Sequence, residues 1–394
     1  MKKNLLYVLI CFFFLSRLTS QELTNLDFEL VESAQKKIAD KDTLYLLAIE
    51  KLIRNADKAL YEGPFTVMSK TQVPPSGNKH DYLSLAPYFW PDPDQPNGLP
   101  WMRKDGQVNP GTRGDNVDYE EKNNFFRNVK ILSWAFYFSN NKKYAEKAKE
   151  LLEVWFINPE TKMNPNLNYA QGIPGQNDGR CFGIIEFGGI SEIITAIELL
   201  ELKNALDAKT SKELRSWLSE YLNWLQTSEF GIQEKTRSNN HATHYDGQVV
   251  SLLLFLNRNE EAREVLVSVK TNRIATQIEP DGSQPHELGR TNALSYSTMN
   301  LKGLTKLAYF GKRNNIDIWN YKAENGASIQ KAYAFLAPYA LGEKEWDYEQ
   351  IKDLEGSLEN LKKLFRNAAN IFGINEVIDP KIYNELNNPI MSFL

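Results

Sequence analysis

Apolar positions along this chain recur with a period near 3.6, in runs separated by long polar stretches rich in proline and glycine. Leu44, Leu47, Ala48 and Leu52 trace one face of a helix running to about Tyr61. Phe125, Val129, Leu132, Ala135 and Phe136 mark a second, and Tyr144, Ala148, Leu151, Leu152 and Trp155 a third. Further helical segments are predicted near 184–202, 211–225, 249–256, 260–270, 294–309, 328–341 and 358–372. Asn257-Arg258-Asn259 and Gly311-Lys312 are turn signals between paired helices. Strand-like alternation is scarce, and no fixed period of about 34 to 47 residues marks a regular solenoid. The expected architecture is therefore all-α: an (α/α) toroid in which inner and outer helices alternate and leave a cleft at one end. The stretches 73–77, 91–114 and 158–179 read as long loops of the kind that carry function. The Trp- and Tyr-rich segment 88–119 is suited to wall the cleft.

The first twenty residues change the picture of where the protein works. Lys2 and Lys3 precede an apolar run from Leu5 to Leu15, and Leu18-Thr19-Ser20 forms a small-residue exit, which reads as a secretory signal over 1–20. The run is shorter than the roughly twenty residues a membrane helix needs, and no later segment is apolar enough to span. A single domain over 21–394 is expected, secreted to a bacterial periplasm or cell surface. Loss of Lys2, Lys3 and Arg17 takes the formal charge from −4 to −7. An acidic exterior argues against nucleic acid as a partner. It leaves room for an anionic substrate, since a local cluster of cations can invert the field inside a cleft. Of the two cysteines only Cys181 lies beyond the signal, so no intramolecular disulfide is expected.

The candidate chemistry is concentrated. All four histidines, His80, His241, His244 and His286, fall in three short segments rich in polar and aromatic residues: 77–91, 238–248 and 285–296. Asn239, Asn240 and His241 are expected just before a helix, where asparagine is a natural cap. His241, His244 and Asp246 offer a metal-site alternative, but the glutamate of HExxH is missing. Arg290 could pair with Glu287 on the surface, or sit beside Tyr296 and lower its pKa from about 10. Asn, His, Arg and Tyr together are the set needed to remove a proton next to a carboxylate. Hydrogen bonds from Asn240, His241 and Arg290 would neutralise the carboxylate of a uronic acid and stabilise the charge that develops at C5. Tyr296 would take the proton and return it to the departing glycosidic oxygen. One residue can do both on β-D-mannuronate; α-L-guluronate would require a second base, such as His241. Two other classes remain open at this point: an inverting glycoside hydrolase using Asp81 and Glu287, and a non-catalytic glycan-binding protein.

The segments NNHATHYD, GRTNALSY and KHDYLSLAPYFWPDP together resemble the alginate-lyase superfamily of all-helical polysaccharide lyases. They are most similar to the family-38 polysaccharide lyases and more distantly to the family-5 alginate lyases. The resemblance covers roughly residues 60–340. It implies a toroid, β-elimination on alginate or glucuronan, and no cofactor or metal. Asn240 and His241 match the pair that neutralises the substrate carboxylate, Arg290 the assisting arginine, and Tyr296 the acid and base. The spacing from Arg290 to Tyr296 is one residue shorter than in family 5. His80, Tyr82 and Tyr88 match the motif that shapes the cleft and its lid, with Gln171, Arg180 and His244 as further substrate-binding residues.

Overall fold

The computed structural model describes residues 23–373. The signal segment expected over 1–20 lies outside the described residues. Helices dominate: α1 (Phe28–Ala39), α2 (Thr43–Ala59), α3 (Tyr119–Ser139), α4 (Lys142–Phe156), α5 (Ile190–Leu202), α6 (Ala208–Thr227), α7 (Glu229–Lys235) and α8 (Asn240–Phe255). They continue through α9 (Asn259–Val269), α10 (Ala275–Gln277), α11 (Pro285–Leu288), α12 (Ala293–Arg313), α13 (Ile329–Ala340) and α14 (Leu354–Phe372). Successive inner helices α3, α5, α8 and α12 pack side by side, and α4, α6, α9 and α13 stand against them on the outside. This is the all-α, incomplete (α/α) toroid that the periodicity implies.

Burial explains which helices are inner. Nearly every position of α5 and α8 is buried, whereas α4 and α6 bury one stripe, such as Leu214, Trp217, Leu218, Tyr221 and Leu225 on α6. The stripe is what a helix with one wet face requires. One apolar cluster runs from Leu23 to Ala262 and a second from Val250 to Ala369, and Leu254 and Val265 pack against both.

Three boundaries differ from the sequence expectation. The apolar stretch 184–202 is split: a 3-10 turn over Cys181–Phe187 precedes α5, with Gly188-Gly189 at the break. A β-carbon on Gly189 would lie 2.9 Å from the Phe126 ring, so this glycine lets the break press against α3. The second histidine segment does not precede a helix but opens one, because Asn239 is the cap and Asn240 and His241 occupy the first turn of α8. α1 and α7 were not expected. α7 buries only Gly231 and Glu234 and carries no apolar stripe, whereas α1 has a short one, Phe28, Val31, Ala34 and Ile38, of which only Val31 and Ala34 are buried.

Four short strands pin the long loops. β1 (Leu83–Leu85) pairs in parallel with β4 (Tyr169–Gly172), and β2 (Phe89–Trp90) pairs antiparallel with β3 (Met102–Arg103). The β2–β3 hairpin folds over the end of the toroid where α8 and α12 begin. Among the described residues no helix is long and apolar enough to cross a membrane.

Candidate active site

A cavity of about 830 Å³ opens where the first turns of α8 and α12, the 3-10 turn, α3 and the 87–108 loop converge. Asn240, His241, Arg290 and Tyr296 all line it.

Asn240 and His241 are delivered by the start of α8. The cap Asn239 accepts from the His241 backbone N–H at 3.3 Å. Glu287 of α11, buried beneath, accepts from the Asn240 backbone at 2.7 Å and from Asn240 Nδ2 at 2.8 Å. A carboxylate at a helix N-terminus complements the dipole there. Asn240 is itself fully buried, and its Oδ1 has no partner among the described residues. His241 Nδ1 lies 2.5 Å from Oε1 of Glu234, a carboxylate of α7 with no solvent exposure. The ring meets Phe182 edge-on at 4.7 Å between centroids. With Nδ1 committed to Glu234, the chemistry of the imidazole is left to Nε2, as an acceptor when neutral and a donor when protonated.

Tyr296 sits in the first turn of α12, with its hydroxyl 2.7 Å from that of Tyr88. The Arg290 guanidinium lies 3.9 Å from the centre of the Tyr296 ring. It pairs with Asp105, not with Glu287: Arg290 Nε and Nη2 donate to the two Asp105 oxygens at 3.1 and 2.8 Å, and Arg103 adds a bond of 2.6 Å. Burial would raise the Asp105 carboxyl, but its hydrogen bonds from Arg290 and Arg103 hold it well below the usual range. Arg290 lowers the Tyr296 pKa as expected, but larger effects outweigh it. Burial, and then Tyr88, push the phenol well above its ordinary value, and Arg290 opposes this only in part. Tyr296 therefore rests as a neutral phenol.

Of the six residues expected to bind substrate, Tyr88, Gln171 and Arg180 line the cavity, and His80, Tyr82 and His244 do not. Gln171 is held in the left-handed region at φ 51°, its N–H bonded to Ser84 Oγ at 2.8 Å. Such strain costs on the order of 1 kcal/mol and is concentrated at functional sites. Arg180 donates to Gln171 Oε1 at 2.8 Å. His80 instead bonds the Lys162 carbonyl through Nδ1 at 2.6 Å. Tyr82 is a core residue whose hydroxyl donates to Glu186 at 2.8 Å, so it supports the cavity wall from behind. His244 turns its Nε2 into the interior beside α12, where that atom is buried without a partner among the described residues. Burial first, then the charges of His241 and Lys306, bring its pKa down to about 3, which makes it a poor proton carrier near neutrality. His286 is exposed on α11.

The two carboxylates weighed for hydrolysis are also off the cavity wall. Asp81 accepts from Ser76 and Asn164 at 2.7 and 2.8 Å, and Glu287 lies under Asn240. Asp246, weighed for a metal, binds Arg273 at 2.8 Å. Among the described residues no group of three or more His, Cys, Asp or Glu is arranged to hold an ion. Sequence reasoning missed Asp105 and Glu234. Glu234 was legible only through Ser228, a cap residue whose Oγ accepts from Gly231 and marks the start of α7. Asp105 carries no local signal.

Residues 66–346 match the family model described as Alginate lyase. The chain is 37% identical to an alginate lyase from Bacteroides ovatus whose crystal structure superposes with a TM-score of 0.88, covering 93% of this chain and 96% of that one. The fold is also that of alginate lyase A1-III from Sphingomonas species A1, at 18% identity, a TM-score of 0.55 and 87% coverage of both chains. A histidine-to-alanine variant of that enzyme, complexed with tetrasaccharide, gives 17% identity, a TM-score of 0.54 and 86% coverage of both chains. No curated protein matches the chain.

Proposed function

This chain belongs to the alginate lyase family and is a polysaccharide lyase; from that premise we propose that it cleaves alginate by β-elimination at the cavity lined by Asn240, His241, Arg290 and Tyr296. The observation that carries the reading is the convergence of these four side chains, drawn from two helix starts and the turn after α11, on one cavity. The substrate is a polyuronate, and the complex of the Sphingomonas enzyme with tetrasaccharide supports an oligosaccharide as what this chain binds. The kinship with family-38 lyases rests on the three sequence motifs, and glucuronan is the alternative substrate. The expected signal segment makes the protein one secreted to the periplasm or cell surface.

The reaction proceeds as follows. The uronate carboxylate sits against Asn240, His241 and the free edge of Arg290, whose hydrogen bonds withdraw charge and make the C5 proton removable. A base takes that proton, the electron pair becomes the C4–C5 double bond, and the C4–oxygen bond breaks. The departing oxygen receives a proton from Tyr296, which is suited to give it because it rests protonated. On β-D-mannuronate the proton and the leaving oxygen share a face, so Tyr296 serves both steps: it first gives up its phenolic proton to solvent, takes the C5 proton as the phenolate, and then returns that proton to the leaving oxygen. A second division of labour is favoured by one observation, the Glu234 carboxylate on His241 Nδ1. It leaves a neutral Nε2 to take the C5 proton from the opposite face, the arrangement that α-L-guluronate requires, and in that case Asn240 and Arg290 hold the carboxylate without His241.

Incubation with alginate in chelator, followed at the ultraviolet edge, tests the reaction class. Unsaturated product is expected. New reducing ends without absorbance would mean hydrolysis, and no change would mean a binding protein. Tyr296→Phe removes one hydroxyl and is expected to abolish turnover on mannuronate- and guluronate-rich alginate alike with the thermal midpoint retained. Substantial residual activity would exclude Tyr296 as the acid.

A further inference from the structure

The β1–β4 pair carries one irregularity, and it falls at the cavity wall. Leu83 pairs with Tyr169 and Leu85 with Gly172, so β4 holds one more residue than β1 between the two pairings. Gln171 lies in that span with φ at 51°, and it lines the cavity. A bulge of this kind re-aims a side chain that a regular strand would leave in the pleat. Residues other than glycine avoid this backbone region, so a group outside β4 has to hold it.

A polar relay buried in the wall does so. Ser84, fully buried between Leu83 and Leu85, accepts from the Gln171 backbone N–H at 2.8 Å and donates to Glu186 Oε2 at 2.7 Å. Tyr82 donates to the same Glu186 oxygen at 2.8 Å. Burial first, and then Glu186, raise the Tyr82 pKa, so its phenol stays a donor. With its own hydrogen spent on a carboxylate, the Ser84 hydroxyl has only lone pairs left for Gln171. Gln171 Oε1 accepts from Arg180 Nη2 at 2.8 Å, and the Arg180 backbone N–H donates to the Ala170 carbonyl at 3.0 Å. The backbone doubles back this tightly because Gly179 has no side chain: a β-carbon there would lie 2.0 Å from the Asn168 carbonyl oxygen. Ser84 thus fixes the Gln171 backbone and Arg180 its amide oxygen, and the amide Nε2 is left without a partner among the described residues. A serine and a glutamate set into an apolar wall are costly to bury, and an all-apolar strand pair would hold β1 equally well.

We propose that Ser84, backed by Glu186, is a positioning residue for substrate binding: it holds the Gln171 bulge so that the amide presents an N–H donor to an oxygen of the bound sugar. Ser84 does not itself line the cavity and acts only through Gln171. The identity of the sugar rests on the polyuronate reading above.

The test is a double-mutant cycle on the full chain with Ser84→Ala, Gln171→Ala and the two combined, assayed on alginate oligomers. Each single change is expected to raise KM roughly tenfold with kcat nearly unchanged. The combination should be no worse than Gln171→Ala alone, because the serine works through that amide. A multiplied effect of about a hundredfold, as a serine with a merely structural role would give, or a fall in kcat with KM constant, would overturn the proposal. Should Ser84→Ala fail to fold, Ser84→Cys, close in size and only a weak acceptor, enters the same cycle with the same expectation. Calorimetric titration of the oligomers into the same set built on Tyr296→Phe separates the positioning from the reaction. Non-additive losses of binding support it even if the wild type makes no unsaturated product, and additive losses or none refute it even if the wild type does.

Discussion

The site works through neighbours of the residues that react. Glu234 is the clearest case. It is fully buried and its Oε1 is 2.5 Å from His241 Nδ1, so the carboxylate is aimed at the imidazole. A carboxylate in this position holds the ring and fixes which nitrogen carries the proton. Glu234→Gln keeps the shape but can donate to Nδ1, which moves the ring proton to Nε2. On guluronate-rich alginate kcat should fall by about a hundredfold or more, with the loss smaller on mannuronate-rich polymer and the thermal midpoint held. Equal activity on both polymers would remove the positioning role. Lys122 supplies a second prediction. It lines the cavity, only its protonated form can attract a substrate carboxylate there, and burial lowers its pKa to about 8, with Glu186 and Glu120 opposing and Arg113 reinforcing the shift. As pH rises through about 8 the ammonium is lost, so kcat/KM should decline while kcat on saturating long chains holds. Lys122→Arg should remove that alkaline limb; its persistence would assign the limb to another group.

Elements bring those residues together, and their limits were unevenly legible. Long helices with an apolar stripe, such as α4, α6 and α14, are readable from spacing alone. The first turns of α3 are not. Tyr119, Lys122 and Asn123 line the cavity, and a helix end built to hold a polar substrate has no stripe to reveal it. α7 escaped for the same reason. The loop segment 64–83 depends on one buried ion pair: Lys70 Nζ is 3.0 Å from Asp118 and donates to the carbonyls of Val67 and Lys79, and Asp118 accepts from Leu83 at 2.8 Å. Burial pushes both groups toward their neutral forms, and their mutual attraction opposes it. Removing one partner strands the other charge. Lys70→Met should therefore cost about 3–5 kcal/mol in denaturant unfolding, and a loss under about 1 kcal/mol would show that Asp118 is readily neutralised there.

At the scale of the whole molecule, an acidic protein of formal charge −4 encloses a cavity in which seven cations face two carboxylates. Composition by itself could exclude nucleic acid but could not place the positive field. The helical periodicity, the absence of a regular repeat and the three histidine-bearing motifs were enough to determine an all-α toroid and to nominate Asn240, His241, Arg290 and Tyr296, because period and motif are local properties of the chain. Only the tertiary structure decided what those residues touch. Tyr88 reaches Tyr296 across 208 positions, and Asp105 reaches Arg290 across 185. It also decided that His80, Tyr82 and His244 stand off the wall, since a motif records which residues are near in sequence and not which way each side chain turns. Burial and charge pairing set the ionisation of Tyr296 and of Lys122. Both are sums over neighbours drawn from the whole fold, and no local pattern contains them.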